Sequence, residues 1–431
     1  MRAIVATLMV PMLLGAELAP AEEAAPSAPT VVIRAGHLVD TAAGAVRDTA
    51  WIVVSGERIT SVDAGTTFVP PTGIEVIDLS GWTVLPGLID THTHLASNPT
   101  LPPYHEYGLS VPRVTLTAAA NARRTLLSGV TTTRDVGSYG FIDVALRDAI
   151  AAGEIDGPRV RASGPALGIT GGHCDDNLLA PEYNEVSEGV ADGVDGVRKA
   201  VRRNVKYGVD HIKYCGTGGV FSKGTIPGAQ QFTEAEVAAL IDEAHMHGRK
   251  VAVHAHGAAG IKVALRNGVD TVEHASLIDD EGIALAKKTG AYLSMDIYNT
   301  EYTQTEGKKR GELEEFLRKD RDLAQVQRDN FRKAVKAGVK MTMGTDTGVH
   351  PHQDAPRQLS YMVRYGMTPM QALQAATVNG ADAIGLRGEI GTIAPGAYAD
   401  IIAVRGDPLA DVSVLEKVGF VMKGGKVYTR P

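Results

Sequence analysis

Apolar and polar residues alternate in short bursts at both ends of the chain and run in longer, glycine-punctuated blocks between them. From 31 to 83 the bursts read VVIRAGHLVD, TAWIVVSGERITSV and GIEVIDLSGWTVL, with Gly-rich turns between them. That is the two-residue period of β-strands. The same texture returns at 390–392, 400–404 and 418–428. Strand-like segments at both ends of one long central region predict a small β unit built from the two chain ends.

The central region repeats a different rhythm. A helical stretch ends in glycine, and a β-branched run follows and stops at polar residues. The runs at 130–135, 209–214, 249–254, 269–274 and 339–346 follow Gly129, Gly208, Gly248, Gly268 and Gly338. Glycine there supplies the left-handed residue that closes a helix. Adding 82–94, 158–164 and 290–299 gives eight strands. Helices are expected at 115–128, 140–152, 194–207, 233–247, 258–267, 279–289, 323–337 and 368–378. One start is well signed: Thr233 and Glu236 form a capping-box pattern, with Phe232 and Val237 spaced as a hydrophobic staple. The alternation predicts an α/β fold, a (β/α)8 TIM-type barrel over 86–384, with a small β-sandwich-like domain from 30–85 and 385–431. An open doubly wound sheet is the alternative, but the chain lacks the Gly-rich phosphate loop expected after its first strand. The charged stretch 301–321 reads as a solvated helix, with a lid as the alternative.

Composition narrows the function classes. The 431 residues are 44% hydrophobic and 22% charged, with a net charge of −7 and no basic run. This excludes the electrostatic footprint of a nucleic-acid binder. Arg2, the apolar run 3–16, the small residues 18–21 and then Glu22-Glu23 follow the order of a secretory signal peptide. The run is shorter than the roughly 20 residues of a bilayer span and contains Pro11. The expectation is cleavage near Ala21, export to the periplasm or medium, and no stable membrane insertion afterwards. Cys174 and Cys215 are the two cysteines. Export would allow them to join, and the sequence leaves a disulfide and two free thiols equally open.

In such barrels the chemistry sits at the C-terminal strand ends, and the polar residues here gather at those positions. His92 and His94 end the first strand two residues apart, so both face one side, as half a metal site does. Lys213 interrupts the apolar fourth strand. A buried amine needs a salt bridge or conversion by CO2 to a carboxylate, and spacing alone decides neither. His254 and His256 form a second His-x-His pair on strand five. His274 ends strand six, and Asp346, after strand eight, could bind metal and take a proton from water.

PGLIDTHTH, HIKY, VHAHG, TVEHAS and MGTDTG in this order resemble the amidohydrolase superfamily, in the branch of imidazolonepropionase-like and prolidase-like enzymes with a carboxylated lysine. The branch includes dipeptidases, carboxypeptidases and ochratoxin-type amidases. The resemblance spans nearly the whole chain after residue 21. It implies two divalent metal ions, zinc first among the candidates. His92, His94 and Asp346 would hold one ion and His254 and His274 the other. Lys213, carboxylated by CO2, would bridge them, with an attacking hydroxide between the ions. Asp346 would carry the proton. His256 would face substrate or support a ligand, a structural hydrogen bond being the plain alternative. Tyr298 and His173 are further candidates for substrate contact, and Tyr214 would pack.

The function implied is hydrolysis of the amide bond of small dipeptide or N-acyl amino-acid substrates. A hydrolase of a cyclic amide, lactone or phosphotriester is the second reading, and a non-catalytic ligand-binding barrel the third. The expected partners are a small-molecule substrate and further copies of the chain in a homo-oligomer.

Overall fold

A computed structural model of the protein describes residues 30–65, 67–101 and 103–431. The expected signal peptide lies outside these residues. Four strands open the described chain: β1 (Val31–Asp40), β2 (Ala45–Ser55), β3 (Arg58–Ala64) and β4 (Glu75–Pro86). The barrel strands follow: β5 (Leu88–Thr93), β6 (Val130–Asp135), β7 (Arg159–Arg161), β8 (His211–Cys215), β9 (Lys250–Gly257), β10 (Thr271–Leu277), β11 (Tyr292–Ser294) and β12 (Met341–Thr342). Three more close the chain: β13 (Ile401–Val404), β14 (Phe420–Lys423) and β15 (Lys426–Thr429).

The two chain ends meet in one continuous seven-stranded sheet, ordered β15-β14-β13-β4-β1-β2-β3. This is the form taken by the sandwich-like unit expected from sequence. Ile33, Ile52, Leu79, Ile401 and Phe420 share its apolar core. The expected strand 82–94 breaks at Gly87, where a Cβ would meet the Thr131 hydroxyl oxygen at 2.1 Å. Glycine lets the chain step from the sheet into the barrel at that crowded point.

The barrel strands form two parallel arcs, β12-β11-β10-β9-β8 and β5-β6-β7. Backbone hydrogen bonds join the arcs at both seams. At one, Thr91 donates to Met343 (2.9 Å), Asp346 to His92 (2.8 Å) and His94 to Thr347 (2.8 Å). At the other, Asp210 donates to Ala162 (2.8 Å), Leu167 to Lys213 (2.9 Å) and Cys215 to Leu167 (2.8 Å).

The helices are α1 (Val111–Leu127), α2 (Ile142–Ala151), α3 (Gly193–Lys206), α4 (Glu234–Met246), α5 (Ala258–Arg266), α6 (Asp280–Thr289), α7 (Asn299–Arg310), α8 (Glu314–Ala337), α9 (Arg357–Arg364), α10 (Pro369–Ala375) and α11 (Val378–Ala383). Their apolar faces lie on the strands. Ile212, Val253, Val272 and Leu293 share one core with Val201, Leu240, Ile261 and Phe331. The Thr233–Glu236 capping box forms at the start of α4. No described helix is long and apolar enough to cross a membrane.

The stretch 301–321 departs from expectation. It is helical, but not a solvated helix: α7 buries Thr300 and Thr303, and α8 begins nine residues before the expected start at 323 and buries Phe316, Leu317 and Lys319. The charge that suggested solvent is neutralised locally. The Lys319 ammonium donates to the Ser222 carbonyl (2.7 Å) and pairs with Glu315 (2.7 Å).

Candidate metal centre and active site

The strand ends bring His92, His94, Lys213, His254, His256, His274 and Asp346 to one cavity of about 250 Å³. Local backbone shape aims several of these side chains. His274, Ala275 and Asp346 hold left-handed φ values of 68°, 48° and 58°. Such conformations are costly for residues with a Cβ and gather at functional sites. They turn His274 and Asp346 out of the strand alternation, and the β9–β10 register shifts beyond His274.

Asp346 sits at the centre of one group. Its Oδ1 lies 3.3 Å from Nε2 of both His92 and His94, and its Oδ2 accepts from the Asn299 amide at 2.9 Å. The other ring nitrogen of His92 faces Glu273 (3.0 Å). Glu273 is fully buried and is tied to Arg134 (2.7 Å) and the Thr271 hydroxyl (2.6 Å). The His94 Nδ1 lies 3.3 Å from the Gly137 carbonyl. Asp90 braces the seam below by accepting from the Thr345 hydroxyl (2.5 Å) and amide (3.1 Å).

A second group gathers His254, His256 and His274, with potential ligand atoms within 4.8 Å of one another; His92, His274 and Asp346 form a group of the same kind. His274 therefore belongs to both. Its Nδ1 faces Asp296 (2.9 Å), which also accepts from Gln327 (3.1 Å) and Asn299 (3.1 Å). A ring nitrogen bound to a carboxylate turns the other toward a metal. His256 uses Nδ1 on the Ser276 hydroxyl (2.8 Å) and stacks on His274 at 4.8 Å.

Lys213 is 3% exposed, and its amine has no hydrogen-bond or ion-pair partner among the described residues. The salt-bridge alternative thus finds no support in the geometry. Burial lowers its pKa to about 8, although Glu273 and Asp346 pull the other way. A lysine of this kind offers a larger neutral fraction near neutral pH than an ordinary one.

The histidines divide by charge. Burial and Lys213 work against a proton on His92, but Asp346 and Glu273 outweigh them and raise its pKa to about 9. Burial first, then neighbouring histidines and Lys213, holds His254 well below the ordinary value. Burial and His274 do the same for His256. Burial would raise Asp346, yet His92 and His94 hold it well below the usual carboxylate range. Burial likewise keeps His94 below its ordinary value although Asp346 faces it, and imidazoles left unprotonated, together with an anionic carboxylate, suit divalent cations such as zinc once His92 gives up its proton; the donor set fits the metal pair implied by the motifs.

The remaining candidates separate. His173 lines the cavity, stacks on His254 at 4.0 Å and bonds through Nδ1 to the Ser222 hydroxyl (2.8 Å). Tyr298 does not reach the cavity. Its ring lies against His350 (4.9 Å) and Tyr361 (5.2 Å), with its hydroxyl 3.5 Å from Arg357. β11 ends at Ser294, so the alternation cannot be projected four residues further; Asp296 and Asn299 line the cavity instead. Tyr214 is fully buried and packs on Phe232. Cys174 and Cys215, left open by the sequence, form a disulfide.

Sequence reasoning missed Glu273, Asp296, Asn299 and Gln327. Glu273 stands beside His274 in TVEHAS, and a carboxylate in a buried strand was a usable signal. Asp296 and Asn299 lie beyond the end of β11, and Gln327 lies on the expected helix 323–337, where nothing in the sequence singles it out.

Comparison with known proteins identifies the family. The amidohydrolase family model matches residues 83–428. The chain is 34% identical to ochratoxinase of Aspergillus niger over 375 residues, 81% of this chain and 76% of the relative. It is 24% identical to imidazolonepropionase of Fusobacterium nucleatum over 394 residues, 83% and 85% of the two chains. Among solved structures, a Xaa-Pro dipeptidase with methionine bound in its active site superposes with a TM-score of 0.87 at 37% identity, covering 93% of this chain and 99% of that one. The crystal structure of A. niger ochratoxinase gives 0.82 at 29% identity, covering 94% and 96%. The chain belongs to the amidohydrolase family and is a hydrolase acting on amide bonds.

Proposed function

We propose that the protein is a binuclear metal-dependent amidohydrolase that releases the C-terminal amino acid from small dipeptides or N-acyl amino acids. The observation that carries this reading is the convergence of His92, His94, Lys213, His254, His274 and Asp346 on one cavity. The likeness to a Xaa-Pro dipeptidase and to ochratoxinase supports the substrate class. His92, His94 and Asp346 would hold one cation, His254 and His274 the other, and carboxylated Lys213 would join them. When bound, the two cations supply a nucleophilic water and polarise the scissile carbonyl.

The chain's own residues do the rest. Asp346, anionic and oriented by Asn299, accepts the proton of the attacking water and returns it to the leaving nitrogen. Asp296 and Glu273 fix the rings of His274 and His92. His256 and His173 border the space left for substrate. Val136, Val220, Phe221 and Leu323 give that space apolar walls, which favour an apolar acyl group or side chain.

The deciding experiment is a panel of dipeptides and N-acyl amino acids incubated with metal-quantified protein, with the freed amino acid measured directly. Fully loaded protein that releases no amino acid from any member would sink the reading. Lys213→Ala should lower metal content below two per chain, and short-chain carboxylic acids should partly restore it. Export after cleavage near Ala21 and homo-oligomer formation belong to the same proposal. The mass of the mature chain and its size in solution test them.

A further inference from the structure

The cavity wall carries one covalent cross-link. Cys174 directly follows His173, and Cys215 ends β8 two residues after Lys213. Their Cα atoms are 5.9 Å apart across a sequence separation of 41. Both line the cavity, and Cys174 also faces an outer vestibule that shares Gly137, Ala166 and Phe221 with it. We propose that this bridge is a positioning element that holds His173 against the metal-ligand histidines and thereby sets how tightly the cavity takes substrate.

One end of the bridge is anchored in the barrel. Cys215 is 1% exposed, donates to the Leu167 carbonyl and lies in register with His254 on β9. The other end belongs to a segment with little regular structure, since 170–187 contains only the short turn Pro181–Tyr183. Two side chains hold His173 itself: Ser222 on its ring and Gln231 on its amide (3.1 Å). The Thr170–Asp192 bonds that start the segment are exposed to solvent. The fit around the ring is close. A Cβ on Gly219 would meet it at 2.3 Å, and a Cβ on Gly168 would meet the Cys174 Cβ at 2.8 Å.

A cross-link from a loop to a strand removes conformations in which the loop swings away. Without it, the stack of His173 on His254 becomes one arrangement among several. His92, His274 and Asp346 keep their own bonds to Glu273, Asp296 and Asn299, and His254 its contact with the Gly218 carbonyl; none of these partners lies on the tethered segment. Loss of the bridge should therefore act on substrate affinity more than on metal content. Reduction is chemically simple: a dithiol gives two electrons and two protons, the bridge becomes two thiols, and the dithiol leaves as its own disulfide.

The kinetic part of this inference rests on the amide-hydrolase reading, and the structural part does not. The test compares wild type, C174S/C215S, H173A and the triple variant, each with metal quantified. Hydrogen exchange over 170–187 should quicken severalfold in C174S/C215S. KM should rise about tenfold, the mark of lost substrate binding rather than lost chemistry, while kcat changes by less. H173A should raise KM similarly, and the triple variant should be no worse than H173A alone, because bridge and ring act in series. If C174S/C215S does not fold, dithiol reduction of folded wild type and H173A takes its place; KM should rise only in wild type. Unchanged exchange over 170–187, or KM effects that add, overturn the proposal. Quickened exchange in a protein that cleaves no amide would support the positioning role and sink the functional reading instead.

Discussion

His92-x-His94 and His254-x-His256 have the same spacing and opposite electrostatic surroundings. The first pair faces Asp346, with Glu273 behind His92. The second pair touches no carboxylate; its neighbours are the Gly218 carbonyl, the Ser276 hydroxyl and the rings of His173 and His274. The first pair holds one positive charge, on His92, while burial keeps His94 below its ordinary value as it does both rings of the second pair. The lesson is that the carboxylates around a His-x-His pair, rather than the pair itself, decide what it does before metal arrives.

The largest effect should come from removing the carboxylate that serves the first pair. Asp346→Asn should cut turnover by about 10³-fold or more, the upper part of the range for positioned proton transfer, with circular dichroism unchanged. Activity near wild type would remove Asp346 from the proton path. Next, Glu273→Ala leaves Arg134 buried without its partner and should destabilise the fold by about 3 kcal/mol, read by denaturant titration. The sign with pH follows from Glu273, which burial would raise but Arg134 and His92 hold well below its ordinary value. Its stabilisation is complete above the unfolded value near ~4.3 and fades as pH falls below it. Wild type should lose that increment in acid and Glu273→Ala should have none to lose.

A smaller effect separates the two pairs directly. His92 carries a proton below about 9, and metal must displace it. Apparent affinity at the site of the first pair should climb about tenfold per pH unit between 6 and 9, while the site that includes His254, which burial holds neutral, should change less. Parallel pH slopes in a metal titration of the metal-free protein would break the comparison. The smallest effect is expected for His256→Asn, a loss of about tenfold or less in kcat/KM with metal content retained.

The barrel and the cluster of candidate ligands at its strand ends were legible because each uses local signals. Glycines mark the helix ends before Val130, Val209, Val269 and Val339, and His-x-His spacing survives any error in strand boundaries. The carboxylates behind the histidines were harder to see, since their partners lie far away in the chain: Glu273 meets His92 across 181 residues and Arg134 across 139. Tyr298 was misplaced because β11 has three residues and β12 two, so the chain has left strand geometry before the cavity begins. The start of α8 was hidden by its charge. Lys319 and Asp320 are buried through hydrogen bonds to Ser222, Thr300 and Gln304, pairings that no periodicity reveals.

The seven-stranded sheet also bears on how the chain is made. β13 supplies the hydrogen-bonding neighbour of β4, pairing Ile402 with Leu85, and Gly87 donates to the Asp400 carbonyl (2.9 Å). On the ribosome, β1 to β4 emerge first and wait for some three hundred residues of barrel before that neighbour is translated. Through most of synthesis β4 is an open edge beside a finished hairpin, the kind of surface that pairs with a stranger. The segment from β13 to β15 therefore acts as a seal. A chain stopped just before β13 would keep every candidate ligand and still be a sticky, half-closed protein.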